Sequence, residues 1–324
     1  MKPNIDDLIT CLKREDPVWW KAIKDDAQNP TNPCFVAVRP HAACIQVYHA
    51  GGCVAKIEMS GPACGRLNVS MNPKYMLGAV ENPSGYLRLT ESMCIPENLV
   101  KQLRKWTLAD RLHAVKKAAK DLAGEEKKRL QDAIINHNPN IIDLEIAIRD
   151  QNELDETQED SRIDFAAVRS DDRGNPTIVL YEAKTLADPR LRGKGGDEPE
   201  VLTQLRRYQK ILSDAKWQKT FRERFAAIAK AVQKLELVDA FTRKRNATFL
   251  LTAEHFGRIA KGDLTLDTDI WLIGVMKARP EPISTETFSW TGKQWKKVFH
   301  GFSTAFWTTA YCSAYTLSFS SSTV

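Results

Sequence analysis

The sequence predicts a mixed α/β protein of the α+β kind, and three observations carry the prediction. Short β-rich runs broken by Pro or Gly crowd residues 34–89. Amphipathic basic helices flank the middle of the chain. Between them, three alternating strands are followed by a helix and a further strand. With 324 residues the chain can hold one large domain or two modest ones. The composition shifts divide it into an N-terminal β-rich accessory domain over 1–96, a mixed domain with basic flanking helices over 97–282, and a C-terminal hairpin with an uncharged Ser/Thr/aromatic tail over 283–324.

Taken in order, residues 1–28 read as a helical lead-in containing "PVWWKAIKDDA". "CFVAVRP", "CIQVYHA", "CVAKIEM" and "RLNVSM" then alternate as short strands, with "HAGGC" and "EMSGPACG" as turns, and predict a small antiparallel sheet. "NLVKQLRKWTLADRLHAVKKAAKDL" spaces its apolar residues three and four apart, with basic residues on the other face. Gly124 breaks it, and "EEKKRLQDAIINH" continues as a second helix. Strands follow at "IIDLEIAI" (141–148), "RIDFAAV" (162–168) and "TIVLYEAK" (177–184). "SDDRGNP" between the last two is turn chemistry. "EVLTQLRRYQKIL" opens a long helical region reaching about Arg245, and "ATFLLTA" and "DIWLIGVM" predict two more strands. Trp290 and Trp295 flank "TGKQ" and suggest a C-terminal hairpin.

Charge is distributed unevenly behind a mild net value of +6. Residues 101–130 carry ten Lys/Arg against four Asp/Glu, 141–200 carry sixteen acids against eight bases, and 201–245 return to twelve bases against four acids. Basic surfaces bind polyanions and acidic clusters hold metals, while solvated helices also carry Lys and Arg with no partner implied. Both readings of the basic segments stay open. The N-terminus "MKPNIDDLIT" lacks the apolar core of a secretory signal, and no stretch of about 18 apolar residues exists to span a bilayer. The seven cysteines are irregularly spaced without a C-x-x-C pair, which points to reduced thiols and a cytoplasmic setting rather than zinc.

The segment "IVLYEAKTL" poses the functional question, because an apolar strand carries Glu182 and Lys184 on one face. With the turn centred on Arg173, Asp164 lies nine residues before it and Glu182 nine after, so the two oppose each other in a hairpin. Opposed Cβ atoms stand about 4.5–5.5 Å apart, and two carboxylates that close repel unless something positive lies between. A divalent metal suits the gap: Mg²⁺ takes hard oxygen ligands and retains waters. Lys184 alongside can steady a nucleophilic water or neutralise charge developing on a phosphate.

Asp164, then Glu182-Ala183-Lys184 on the next strand, then Gln204 and Tyr208 four apart on the following helix, resembles the PD-(D/E)xK nuclease superfamily, nearest its recombination-exonuclease branch with a Gln-x-x-x-Tyr helix. The resemblance covers about residues 125–276. It implies a restriction-endonuclease-like core of helix, three strands, helix and strand, and a Mg²⁺-dependent deoxyribonuclease, with Mn²⁺ able to substitute. It makes Asp164 and Glu182 metal ligands and Lys184 the catalytic lysine, with Gln204 and Tyr208 supporting the site or touching DNA. Ile163 stands where the family name has proline. The first acid of the pattern is open among Glu125, Glu126 and Glu145, with Glu145 ranked first as a third metal ligand. Arg190, Arg192, Lys194, Arg206 and Arg207 are the candidate nucleic-acid contacts, with DNA favoured over RNA, no membrane partner, and a homodimer left open. A setting in defence or mobile elements fits a nuclease with an accessory domain. The competing expectation is a catalytically inactive protein on the same fold that binds nucleic acid or a protein partner.

Other signals are discounted. "GKGGD" lacks the upstream glycine and following Ser or Thr of a phosphate loop. The six histidines form no spaced ligand pair, and no nucleophile elbow or Cys/His pair is visible.

Overall fold

The computed structural model describes residues 4–29, 31–60, 66–72, 74–77, 87–89, 108–124, 127–128, 130–136, 138, 140–148, 161–170, 174–185, 188–191, 199–242, 251–275, 287–290, 295–298 and 314–317. The chain is mixed α/β with two sheets, and it forms two compact units. One comprises Met1–Asp132 and Ala227–Arg243; the other comprises Ala133–Ala226 and Lys244–Val324. Among the described residues, no helix is long and apolar enough to cross a membrane.

The first unit opens with helices α1 (Ile5–Glu15) and α2 (Val18–Ala27). Asn4 starts α1 by accepting the Asp7 amide at 2.9 Å, while the Asp7 carboxylate accepts the Asn4 amide at 3.2 Å. Strands β1 (Phe35–Arg39), β2 (Cys44–His49), β3 (Gly52–Ser60), β4 (Arg66–Met71) and β5 (Leu87–Leu89) form an antiparallel sheet in sequence order. A short helix, α3 (Lys74–Leu77), lies between the last two. Alternation explains the two faces. Val36, Val38, Ile45, Val47, Ile57 and Val69 are buried on one, while Arg39, Gln46, Lys56 and Glu58 occupy the other. Helix α4 (Leu108–Leu122) packs on α2 and β3.

Periodicity places the basic residues of this helix on its outer face, but Lys116 departs from that pattern. It is buried, and its ammonium donates to Asp26 at 2.7 Å and to the Asn32 carbonyl at 2.6 Å. Asp26 also accepts the Cys34 amide at 2.7 Å, so one buried ion pair fastens the segment entering β1. A buried charge persists only when paired this way.

In the second unit, β6 (Ile141–Ile148), β7 (Ser161–Ser170) and β8 (Pro176–Thr185) make an antiparallel meander. Helices α5 (Glu200–Ser213) and α6 (Ala215–Lys234) follow; from Ala227 onward α6 belongs to the first unit, as does α7 (Val238–Thr242). Helix α8 (Ala253–Ala260) precedes β9 (Thr265–Val275), which runs parallel to β8. Strands β10 (Thr287–Trp290) and β11 (Trp295–Val298) form the hairpin suggested by the two tryptophans, with Trp290 opposite Trp295. With β12 (Ala314–Leu317), the sheet order is β11-β10-β12-β9-β8-β7-β6. Strand β8 is interior and buried on both faces, which its apolar run requires. Phe165 and Tyr181 stack across β7 and β8 with centroids 4.8 Å apart.

The β7–β8 turn includes Gly174 at φ +76, a conformation that costs glycine nothing. Arg258 of α8 fastens this turn through the Gly174 carbonyl at 3.1 Å and the Asn175 side chain at 2.6 Å. Two expectations differ from the structure. "ATFLLTA" predicts a strand, but Thr252 is the N-cap of α8 and Ala253 its first residue; 247–250 lie outside the described residues. The helix expected at 125–137 is π-helical over Leu130–Ile135, and Glu125 and Glu126 lie outside the described residues.

His49 ends β2 fully buried, and burial together with the Lys116 charge depresses its imidazole to about 4 from an ordinary 6.5. The unfolded chain therefore binds a proton between those values that the folded chain rejects. Stability rises with pH through that window and is lost as pH falls from about 6.5 toward 4, by about 3 kcal/mol at most. We expect urea midpoints of the wild type to fall between pH 7 and pH 4.5, with His49→Gln showing a shallower decline. Equal pH slopes would exclude His49 as a cause.

Candidate active site

The β7–β8 pairs run from Ser170 opposite Pro176 to Phe165 opposite Tyr181, the register that a turn centred on residue 173 predicts. One more step sets Asp164 across from Glu182, on the sheet face that also carries Ala166 and Leu180. The ladder stops there for a chemical reason: the Asp164 carboxylate itself accepts the Ala183 amide at 2.7 Å. That bond draws Asp164 against the peptide joining Glu182 to Ala183.

Glu182 is 2% exposed and Lys184 3%, so the acid and the ammonium two residues on are both enclosed. The Lys184 ammonium donates to Glu182 Oε1, and to the Ala183 carbonyl at 3.3 Å. Gln204, on α5, donates its amide to the same Glu182 Oε1 at 2.9 Å and to the Tyr208 hydroxyl at 2.9 Å. Tyr208 in turn donates to the Arg162 carbonyl of β7 at 2.7 Å. The four-residue spacing stacks Gln204 and Tyr208 on one side of α5, and Leu205 and Leu212 are buried beside them. Glu182 Oε2 is buried and has no hydrogen-bond partner among the described residues. Burial first, and the Asp164 charge second, hold the Glu182 carboxyl above its ordinary range against the pull of Lys184. Burial and the charge of Glu182 push the Tyr208 phenol up to about 12, so it stays a donor at neutral pH.

Glu145 lies on β6 between the pairs Leu144–Phe165 and Ile146–Ile163, which puts it across from Asp164. Its backbone is left-handed, at φ 51°, and its carboxylate sits 3.8 Å from the Arg162 guanidinium. Among the described residues, no group of three or more His, Cys, Asp or Glu side chains is placed to hold a metal. The row therefore brings Asp164 and Glu182 together, while Glu145 pairs with Arg162. Nearby, Asp143 is fully buried and receives Arg224 of α6 at 2.8 Å from Nη2 and 3.2 Å from Nε, anchoring that helix over β6.

Arg190 is held by Asp188, whose Oδ2 accepts its Nη2 at 2.6 Å. Arg206 and Arg207 are exposed on α5. Arg192 and Lys194 lie outside the described residues. Sequence reasoning missed Asp188, Arg224 and the Arg162 carbonyl. Asp188, two residues before Arg190 in "ADPR", was legible as an Asx turn; the other two are set only by tertiary packing.

No family model matches the chain, and neither the curated proteins nor the solved structures contain a match.

The hydroxyl of Tyr208 completes two hydrogen bonds in a closed setting, and removing it leaves the Arg162 carbonyl and the Gln204 amide without that partner. Tyr208→Phe is expected to destabilise the second unit by about 1–2 kcal/mol in urea unfolding. An unchanged midpoint would mean that the chain of bonds from Glu182 to β7 carries no weight.

Proposed function

We propose that the protein is a divalent-metal-dependent nuclease that hydrolyses phosphodiester bonds, with DNA favoured over RNA. One observation carries the reading: a buried carboxylate oxygen, Glu182 Oε2, without a hydrogen-bond partner among the described residues, in a strand position opposite a second acid and beside a lysine. Leaving such an atom without a partner costs about 1–3 kcal/mol, and a cation bound at that oxygen would remove the cost. The strand order supports the reading too. An antiparallel meander, a crossover helix and a parallel strand fit the restriction-endonuclease-like core that the sequence resemblance implies.

The residues present fit a hard cation. Mg²⁺ is commonly held by one or two carboxylates and keeps waters for the rest of its shell, so Asp164 and Glu182 suffice without a third acid. Bound there, it would supply charge neutralisation and an acidified water. The remaining work falls to the chain. Gln204 holds Glu182 Oε1 in place, and Tyr208 holds Gln204, so the acid keeps one orientation. The Ala183 amide does the same for Asp164. The Lys184 ammonium donates to a water or a phosphate oxygen on the same face, stabilising negative charge as it develops. Arg206 and Arg207 on α5 present positive charge to a nucleic-acid backbone.

A second reading rests on a different observation. Lys184 already neutralises Glu182, and the described residues bring no three acids together. A protein with that arrangement binds nucleic acid without cutting it.

Purified protein incubated with plasmid and linear DNA in Mg²⁺ is expected to cut, and EDTA, Lys184→Ala and Asp164→Ala are each expected to lower the rate at least about 100-fold. Binding without hydrolysis in Mg²⁺ and Mn²⁺ alike would overturn the enzyme reading in favour of the second.

A further inference from the structure

The turn that leaves β8 carries a second fixed charge pair close to Lys184. Asp188 is 6% exposed, and its amide closes the turn by donating to the Thr185 carbonyl at 2.8 Å. Its carboxylate accepts the Arg190 amide at 2.8 Å and Arg190 Nε at 3.0 and 3.2 Å, while Oδ2 accepts Nη2 at 2.6 Å. Burial works against ionisation here, yet the hydrogen bonds and charge of Arg190 outweigh it and Lys184 adds to them, so Asp188 stays a carboxylate. Charges therefore alternate outward from the buried centre: Glu182, Lys184, Asp188, Arg190.

The geometry points to Asp188 as a positioning residue that holds Arg190 as a clamp for a nucleic-acid phosphate next to the one cleaved. The guanidinium is a planar fork of five N–H donors, and Asp188 engages it through Nε and Nη2. The Arg190 side chain is 41% exposed although its carboxylate partner is enclosed, so the fixed cation reaches solvent one short turn beyond the strand that carries Lys184. An arginine locked before binding loses little side-chain entropy on meeting a phosphate, which a mobile lysine at the same place would lose. The ligand class is the sugar–phosphate backbone, which binds without reading sequence. This inference rests on the nuclease reading for its location, but its test does not depend on cleavage.

Simple electrostatics and positioning predict opposite signs for one substitution. Asp188→Asn removes a negative charge, so an untethered arginine would bind a polyanion as well or better. If Asp188 positions Arg190, the variant binds more weakly. The probe is a fluorescently labelled single-stranded oligonucleotide titrated in EDTA with the full-length chain, at concentrations corrected for folded fraction by thermal unfolding. We expect Asp188→Asn and Arg190→Gln each to weaken binding about fivefold, with the salt slope reduced by about 0.7 for the lost phosphate. Adding Asp188→Asn to Arg190→Gln is expected to change nothing further. Arg190→Lys keeps the charge but cannot make the fork, and is expected to lose affinity as well; this arm stands even if Asp188→Asn fails to fold. Unchanged or tighter binding by Asp188→Asn, or full affinity in Arg190→Lys, would overturn the clamp. Wild-type cleavage in Mg²⁺ is scored separately: cleavage with an overturned clamp leaves the nuclease reading standing, and a working clamp without cleavage removes only the enzyme.

Discussion

The Asp164 carboxylate accepting the Ala183 amide is the contact on which the second unit's site depends. A side chain takes the place of a strand's next backbone acceptor, and in doing so it ends the β7–β8 ladder and holds one acid against the backbone of the other. Glu182 is then enclosed with its companion charges rather than spread over the surface. Two like charges side by side, one of them buried, are unfavourable, and the chain offsets this in three ways: the Lys184 ammonium, the Gln204 amide, and the raised carboxyl of Glu182 itself.

The same logic recurs at a distance from that row. Asp143 with Arg224, Asp188 with Arg190, and Asp26 with Lys116 are buried or half-buried acids, each matched to a cation: from a distant helix for Asp143 and Asp26, and from two residues along the same turn for Asp188. Buried pairs of this kind seldom add net stability over well-packed apolar residues, but losing one partner is costly. They therefore fix geometry: α6 over β6, the turn after β8, and the approach to β1. Glu182 differs from these three acids because its second oxygen has no such match.

Much of this was legible beforehand, for identifiable reasons. Strands β6, β7 and β8 follow from alternation, and the register of β7 with β8 follows from the turn centre alone. Gln204 and Tyr208 are singled out by the family resemblance, and helical spacing puts them on one face of α5. The misses have physical causes too. Thr252 and Ala253 read as the end of a strand, but Thr252 forms a capping box with His255, and local hydrogen bonding starts a helix there. Lys116 sits in a run of lysines that periodicity turns to solvent, and only the tertiary approach of Asp26 and Asn32 draws it inside. Glu145 lies on the expected strand, but its left-handed backbone and its 3.8 Å approach to Arg162 cannot be read from alternation.

The central claim is that Asp164 and Glu182 together form a site for a divalent cation. Titrating the metal-free protein with Mn²⁺, while following free Mn²⁺ by electron paramagnetic resonance, tests it without reference to any substrate. The account predicts saturable binding of one or two ions per chain that is lost in Asp164→Asn and in Glu182→Gln and retained in Glu145→Gln. Absence of binding at millimolar Mn²⁺, or binding that both Asp164→Asn and Glu182→Gln leave intact, would contradict it.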